Sequence, residues 1–287
     1  MLKDYLFPIT AQEAVDMLVK YDGTARIIAG GTDLSIDMRR MDPKPDYLVD
    51  LRDIEELKAI VEDGDYIRIG ANAIYSDIMV NDLVSQHASA LAEAAANVGA
   101  VQVRNLGTLG GNIVSAQPAA DAAVALTALD AVLVIRDANG EREVPITDVY
   151  AGPGRSKIDP ARELIVAVKI PKKRAGEESA YVVMDQRKAL ALPMVCTAVK
   201  MRIEDGQVAE VNIVAAPLAP GPTRVTAAEE FLAGKPATLE NFEEAGKIAT
   251  DSVSFRSSYV RGSAEYRHEV LPVLIRRALI TVQAAIQ

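Results

Sequence analysis

The sequence predicts an α+β protein in two parts: a mixed region of helices and strands to about residue 174, then a strand pair followed by helices. Three observations carry this. Short apolar strands alternate with helical patterns through the first half. Two runs rich in apolar and β-branched residues fold back on themselves at turn pairs, Asn139-Gly140 and Asp205-Gly206. Between those hairpins, "PKKRAGEES" (171–179) is a charged, glycine-containing bridge that reads as a domain boundary. The 287 residues suffice for two domains of ordinary size, and a hydrophobic share of 49% supplies them with cores.

The elements follow in order. Thr10 stands three residues before Glu13 and ahead of Ala14, Val15 and Leu18, a capping-box start for a helix. "RIIAGG" (26–31) is a strand running into a glycine turn, "DYLVDL" (46–51) and "YIRIGAN" (66–72) are further strands, and "SDIMVND" (76–82) is a short helix. The alanine-rich run Val84 to Val98 predicts one helix with Gly99 as its C-terminal cap. A small-residue helix follows Pro118, "AVLVIRDANGEREVPI" (131–146) is a hairpin, and "ELIVAVKIP" (163–171) is a strand. Beyond the bridge, residues 195–222 read as two strands closed by a Pro/Gly-rich turn, and 223–234, 238–253 and 263–286 as helices.

Composition excludes several classes. With 31 Lys+Arg against 40 Asp+Glu the net charge is −9, a field that repels polynucleotide, and "PKKR" is an isolated basic cluster without interleaved aromatics. The single cysteine, Cys196, lies among apolar residues and reads as a buried, inert thiol; alone, it makes no intrachain disulfide, zinc finger or cysteine-ligated cluster. His87 and His268 sit far apart on helical segments, outside any metal-binding spacing. The start lacks the apolar region of a signal peptide and no run approaches a membrane span, so the expectation is a cytoplasmic protein.

Two glycine stretches carry the chemistry. In "RIIAGGTDL" (26–34) the pair Gly30-Gly31 permits a sharp turn or an approach too close for a Cβ. In "NLGTLGGNIVSAQPAAD" (105–121), consecutive N–H groups can form a nest for phosphate, with Thr108 and Asn112 adding side-chain hydrogen bonds. Two such loops suit the two phosphates of a dinucleotide. Gly152 and Gly154 begin a GxGxxG that lacks its third glycine, Gly234 opens no P-loop, and no GxSxG elbow occurs. The loops by themselves leave a nucleotide site and two plain turns both open.

The order "AGGTDL" (29–34), "VRNLGTLGGN" (103–112), "PAAD" (118–121) closely resembles the FAD-binding subunits of the molybdenum hydroxylases, the xanthine, carbon monoxide and nicotinate dehydrogenase family. The resemblance continues through "ELIVAVKIP", "QRKALALPMVC" (186–196) and "YRHEVLPVLIRRAL" (266–279), and so spans essentially the whole chain. It implies an FAD-binding fold of two α/β subdomains (1–55 and 56–174) of the PCMH or vanillyl-alcohol-oxidase-like type. A C-terminal domain (175–287) of antiparallel sheet plus helices would follow, like that of the carbon monoxide dehydrogenase flavoprotein.

By the same resemblance Ile27, Ile28, Ala29, Gly30, Gly31, Thr32, Asp33 and Leu34 wrap the FAD pyrophosphate. Thr108, Leu109, Gly110, Gly111 and Asn112 contact phosphate and flavin-side oxygens, Asp121 binds the ribityl chain, and Val98 and Ile165 make apolar contacts near the adenine. Taken alone, Asp33 caps a turn and Asp121 is a first-turn helix charge. The chain departs from the pattern at Val183, where relatives often carry lysine.

The implied function is electron transfer without a catalytic residue or metal ligand of its own. A large partner subunit holds the molybdenum cofactor and a small one holds two [2Fe–2S] clusters. FAD in this chain passes the electrons to NAD+, oxygen, a quinone or another carrier. The shortage of cysteines agrees with that division and argues against the 4-hydroxybenzoyl-CoA reductase variant, whose flavin subunit carries an extra cluster. The alternatives are a stand-alone FAD-dependent oxidase or reductase acting on a small molecule, and a scaffold whose flavin site has lapsed.

Overall fold

A computed structural model describes residues 2–218, 221–255, 257–258 and 262–287. Near the N-terminus, β1 (Asp4–Leu6), α1 (Ala11–Lys20), β2 (Ala25–Ile28), α2 (Leu34–Asp37) and β3 (Tyr47–Asp50) form a three-stranded parallel sheet, order β1-β3-β2, and its helices. The Thr10 hydroxyl accepts from the Glu13 N–H at 3.1 Å, and the Glu13 carboxylate reaches back to the N–H of Ile9. This cap starts α1 so that Ala11, Ala14, Val15 and Leu18 are buried on one face.

The middle of the chain carries β4 (Ile60–Asp63), β5 (Tyr66–Gly70), six helices, and then β6 (Val132–Asp137), β7 (Gly140–Pro145), a small hairpin of β8 (Tyr150–Gly152) and β9 (Arg155–Ser156), and β10 (Leu164–Pro171). β4, β5, β10, β6 and β7 lie in that order in one antiparallel sheet. The helices are α3 (Tyr75–Ile78), α4 (Asp82–His87), α5 (Ser89–Asn97), α6 (Val101–Arg104), α7 (Leu109–Ser115) and α8 (Asp121–Ala128).

Central strand β10 is buried on both faces. Leu164, Val166 and Ala167 share a core with α1 and the first sheet, whereas Ile165, Val168 and Ile170 share one with the helices. A bulge at Val166 exchanges the two faces: Ile165 pairs with Ile135, but Ala167 pairs with Val134. The Val166 carbonyl takes the N–H of Ala71 at 3.1 Å instead, which anchors the segment after β5.

After the charged bridge, β11 (Glu177–Met184), β12 (Val195–Glu204), β13 (Gln207–Ala216) and β14 (Thr223–Arg224) form an antiparallel sheet, followed by α9 (Thr226–Leu232), α10 (Leu239–Asp251) and α11 (Ala264–Ile286). One face, with Ala180, Val199, Met201 and Ile213, packs on these three helices. The other, with Tyr181, Cys196, Ala198 and Val214, joins the core of the middle helices. Alternation along each strand thus serves two cores. The Ser89 hydroxyl on α5 stitches the seam to Ser179 on β11.

Most expected elements appear, with corrections. The strand pair expected beyond the bridge is a four-stranded sheet, whose β11 starts inside the expected bridge at Glu177, and Thr223–Arg224, expected to open a helix, form β14. The predicted helix 84–98 is two helices broken at buried Ala88, whose φ of −147° and ψ of 49° are not helical. Tertiary contacts win there: His87 Nδ1 accepts from the Lys173 N–H while Ser89 turns to β11. The first hairpin turns at Ala138-Asn139, one residue earlier than expected, because Asp137 pairs with Gly140 and its carboxylate accepts the Asn139 N–H. The second turns at Asp205 and Gly206, both with positive φ as a tight two-residue turn requires. Of the Pro/Gly-rich turn after β13, Ala219 and Pro220 lie outside the described residues.

Candidate functional site

The first glycine loop leaves the end of β2. The Ile28 carbonyl still accepts the Leu51 N–H at 3.0 Å, and Gly31 then turns the chain with a φ of +68°. Among the described residues, no acceptor takes the N–H groups of Gly30, Gly31, Thr32, Asp33 or Leu34. Five consecutive free donors make a surface suited to an anion. Asp33 occupies the capping position of α2, but its exposed side chain makes no cap bond.

The second loop spends its donors inward. Leu109 donates to the Ala73 carbonyl at 3.0 Å, Gly110 to Ala71 at 2.7 Å, Gly111 to the Thr108 hydroxyl at 3.2 Å and Asn112 to the Thr108 carbonyl at 3.1 Å. The phosphate nest expected here is therefore a packing device in which residues 71–75 and 107–110 run against each other, with Tyr75 donating to the Gly107 carbonyl. A Cβ on Gly110 would lie 2.8–2.9 Å from Ala71, whereas one on Gly111 would meet only the Thr108 hydroxyl.

The two loops meet. A Cβ on Gly30 would fall 1.8 Å from the Leu106 carbonyl oxygen, so glycine there lets one backbone lie on the other. Thr32 approaches Gly107 on the same side, and the Tyr75 ring lies beneath Gly107. The buried Tyr75 phenol is pushed well above its usual pKa, by burial first and then by the charge of Asp121, the Tyr150 phenol and Asp33. These four residues therefore share one neighbourhood. The Tyr75 hydroxyl, the Tyr150 hydroxyl and the Asn112 side-chain oxygen are buried without a hydrogen-bond partner, as is the Asn72 oxygen on the facing segment. Such orphaned groups await hydrogen-bonding partners. With the free amides of the first loop, they fit a ligand carrying phosphates and hydroxyls, as FAD does.

Asp121 begins α8 and is 7% exposed. Its Oδ1 accepts from the Asn97 amide and from the Tyr181 hydroxyl, each at 2.7 Å. Burial raises its pKa, and those two donors and the Asp121 main-chain N–H oppose the rise. Val98 is the half-buried residue ending α5, and its carbonyl accepts from the Arg104 guanidinium. Ile165 is buried in β10 within the core that also holds Leu109 and Ile113 of α7. Ile27, Ile28 and Ala29 are half-buried at the end of β2, and Leu34 opens α2. The structure thus brings the two loops and Asp121 around Tyr75, while Ile165 lies in the core below them. Val183 lies opposite Cys196 on β11 and packs against the same core.

The sequence reading passed over Tyr75, Tyr150, Asn97 and Tyr181, single polar or aromatic residues that no motif marks. Cys196 is buried, with its thiol against the Ala216 carbonyl and its pKa raised by burial. Among the described residues, no group of three His, Cys, Asp or Glu side chains is placed to hold a metal, and no helix is long and apolar enough to cross a membrane.

Known proteins match this chain along nearly its whole length. The family described as the FAD binding domain in molybdopterin dehydrogenase matches residues 2–173, and the CO dehydrogenase flavoprotein C-terminal domain matches residues 179–282. The chain is 32% identical over 287 residues to the nicotinate dehydrogenase FAD-subunit of Eubacterium barkeri, covering 98% of this chain and 97% of that one. It is 29% identical over 281 residues to the xanthine dehydrogenase FAD-binding subunit of Escherichia coli O157:H7, covering 96% and 94%. It also superposes, with a TM-score of 0.91 and 30% identity, on a chain of the carbon monoxide dehydrogenase from Hydrogenophaga pseudoflava that lacks the Mo-pyranopterin moiety of its cofactor, covering 99% and 98%. With both halves matched and the glycine loops apposed, the chain belongs to the FAD-binding medium subunits of the molybdenum hydroxylases, the carbon monoxide, nicotinate and xanthine dehydrogenase type.

Proposed function

We propose that this flavoprotein subunit binds FAD between its two glycine loops and relays electrons from the [2Fe–2S] clusters of a small partner subunit to NAD+ or another acceptor. The molybdenum cofactor that oxidises the substrate belongs to a large partner subunit. The observation that carries the reading is the run of five unpartnered N–H groups from Gly30 to Leu34, pressed against the second loop. When bound, FAD supplies the electron storage, and the protein supplies binding, orientation and electrostatics.

The first loop, Ile27 to Leu34, holds the pyrophosphate through its main-chain donors. Thr108 to Asn112 shape the floor beneath, where the buried Asn112 side-chain oxygen is left without a hydrogen-bond partner. Asp121 receives a ribityl hydroxyl, and Val98 and Ile165 offer apolar surface toward the adenine end. The division of the chain at about residues 55 and 174 is supported by the three larger sheets, whose strands fall within residues 4–50, 60–171 and 177–224. The assembly is supported by relatives named for multi-subunit dehydrogenases, and by a single buried cysteine that leaves cluster ligation to a partner.

The test is spectroscopic. The purified chain is expected to show flavin absorption at about 450 nm and to release FAD on heating. Reduced anaerobically through its cluster-bearing partner, it is expected to be reoxidised on adding NAD+ or another carrier. A colourless protein that refuses added FAD would overturn the reading. A flavin reduced directly by a small-molecule donor, without partners, would favour a stand-alone oxidoreductase.

A further inference from the structure

We propose that Tyr181, on the C-terminal sheet, is a positioning residue of the flavin site: it holds the Asp121 carboxylate so that the second oxygen is presented to a ligand hydroxyl. This rests on the reading of Asp121 as a ribityl-binding group. The Tyr181 hydroxyl donates to Asp121 Oδ1 at 2.7 Å, and the Asn97 amide donates to the same oxygen at 2.7 Å. Neither donor lands on Oδ2. A carboxylate accepts at both oxygens, so two side-chain donors crowded onto one fix its rotation and leave the other without a side-chain partner among the described residues.

The three side chains come from three elements. Asn97 closes α5, Asp121 opens α8, and Tyr181 projects from β11 into the core shared with those helices. Tyr181 is itself rigidly held, 7% exposed, with its N–H bonded to the Glu93 carboxylate on α5 at 2.6 Å. It also lies beyond residue 173, where the match to the FAD-binding domain ends. The C-terminal unit therefore contributes to the flavin site through one phenol, and the flavin-binding unit is incomplete without it.

The test is a double-mutant cycle on the full chain, stripped of flavin and titrated with FAD by fluorescence quenching. Asp121→Asn, Tyr181→Phe and the double variant are compared with the wild type, and Ser89→Ala serves as a control that loosens the same seam without touching Asp121. Tyr181→Phe keeps the ring in the core and removes only the hydroxyl. It is expected to weaken FAD binding about tenfold, as the loss of a hydrogen bond to a charged group does. It should also alter the visible circular dichroism of the bound flavin at saturation.

In the Asp121→Asn background the same change should add little, because the partner it positions is already altered. Ser89→Ala should leave FAD affinity unchanged. If Tyr181→Phe fails to fold, Asn97→Ala tests the other donor by the same cycle. Equal weakening in both backgrounds, or no weakening by Tyr181→Phe when Asp121→Asn weakens binding, overturns the positioning role alone. If Asp121→Asn has no effect on affinity, both the ribityl assignment and the positioning role fall. A wild-type chain that takes up no FAD removes the flavin reading itself.

Discussion

The two glycine loops have nearly the same composition and opposite uses. Between Gly30 and Leu34 the main-chain donors are free; between Leu109 and Asn112 every donor is taken by the protein. Gly-Gly therefore means two things in one chain. In the first loop Gly30 makes room for the neighbouring loop and Gly31 supplies a positive φ, and the amides from Gly30 to Leu34 are left without acceptors among the described residues. In the second, Gly110 lets a helix start sit directly on Ala71, and the loop becomes the floor on which the first one rests. The loop with free amides thus rests on one whose Leu109 to Asn112 amides are spent within the protein.

Substitutions separate the two roles. The largest effect is expected at Gly30→Val, whose side chain would collide with the Leu106 backbone and force the loops apart. Overpacking of this kind costs about 1–3 kcal/mol or more, so both the melting temperature and FAD binding should fall, by calorimetry and flavin titration. Gly110→Ala comes next: its Cβ meets Ala71 at 2.8–2.9 Å, and the expected loss is about 1–2 kcal/mol of stability in urea unfolding. FAD affinity should drop with it, because the floor shifts.

Gly31→Ala and Gly111→Ala form the informative pair. Gly31 has a φ of +68°, where a Cβ costs about 1–2 kcal/mol, and it lies within the free donors. Its change should weaken FAD binding more than it lowers stability. Gly111 is exposed on α7 and would meet only the cap hydroxyl, so alanine there should change stability by no more than about 1 kcal/mol and leave FAD affinity near wild type. Equal losses of affinity in the pair would erase the distinction between the loops.

The smallest effect concerns pH. Burial raises the folded-state pKa of Asp121, so the folded chain binds a proton more readily than the unfolded one. The flavin-free protein should therefore lose stability as pH rises from the ordinary aspartate range, near 4, through the raised value. Asp121→Asn keeps an acceptor for Asn97 and Tyr181 but carries no charge. Its unfolding free energy should fall less over that window, as measured by urea titration at stepped pH.

Local chemistry made much of the fold legible. The Thr10 cap, the Asp205-Gly206 turn and the strand 163–171 are decided by residues adjacent in sequence. The break at Ala88 was not legible, because the alanine run carries no stop signal and the interruption comes from contacts with Lys173 and Ser179. Nor was the Val166 bulge, which follows from serving two cores with one strand. The glycine motifs marked where the two loops lie. Which loop keeps its amides free depends on residues 71–75, far from both in sequence. The Tyr181 bond to Asp121 spans 60 positions, beyond any local pattern.

Hydrogen–deuterium exchange with and without FAD tests the central claim most directly. In the flavin-free chain, the amides of Gly30 to Leu34 should exchange fast and those of Leu109 to Asn112 slowly, since only the latter are bonded within the protein. Adding FAD should slow the first set strongly and change the second little. Protection gained at 109–112 with none at 30–34 would contradict the account and return the phosphates to the second loop.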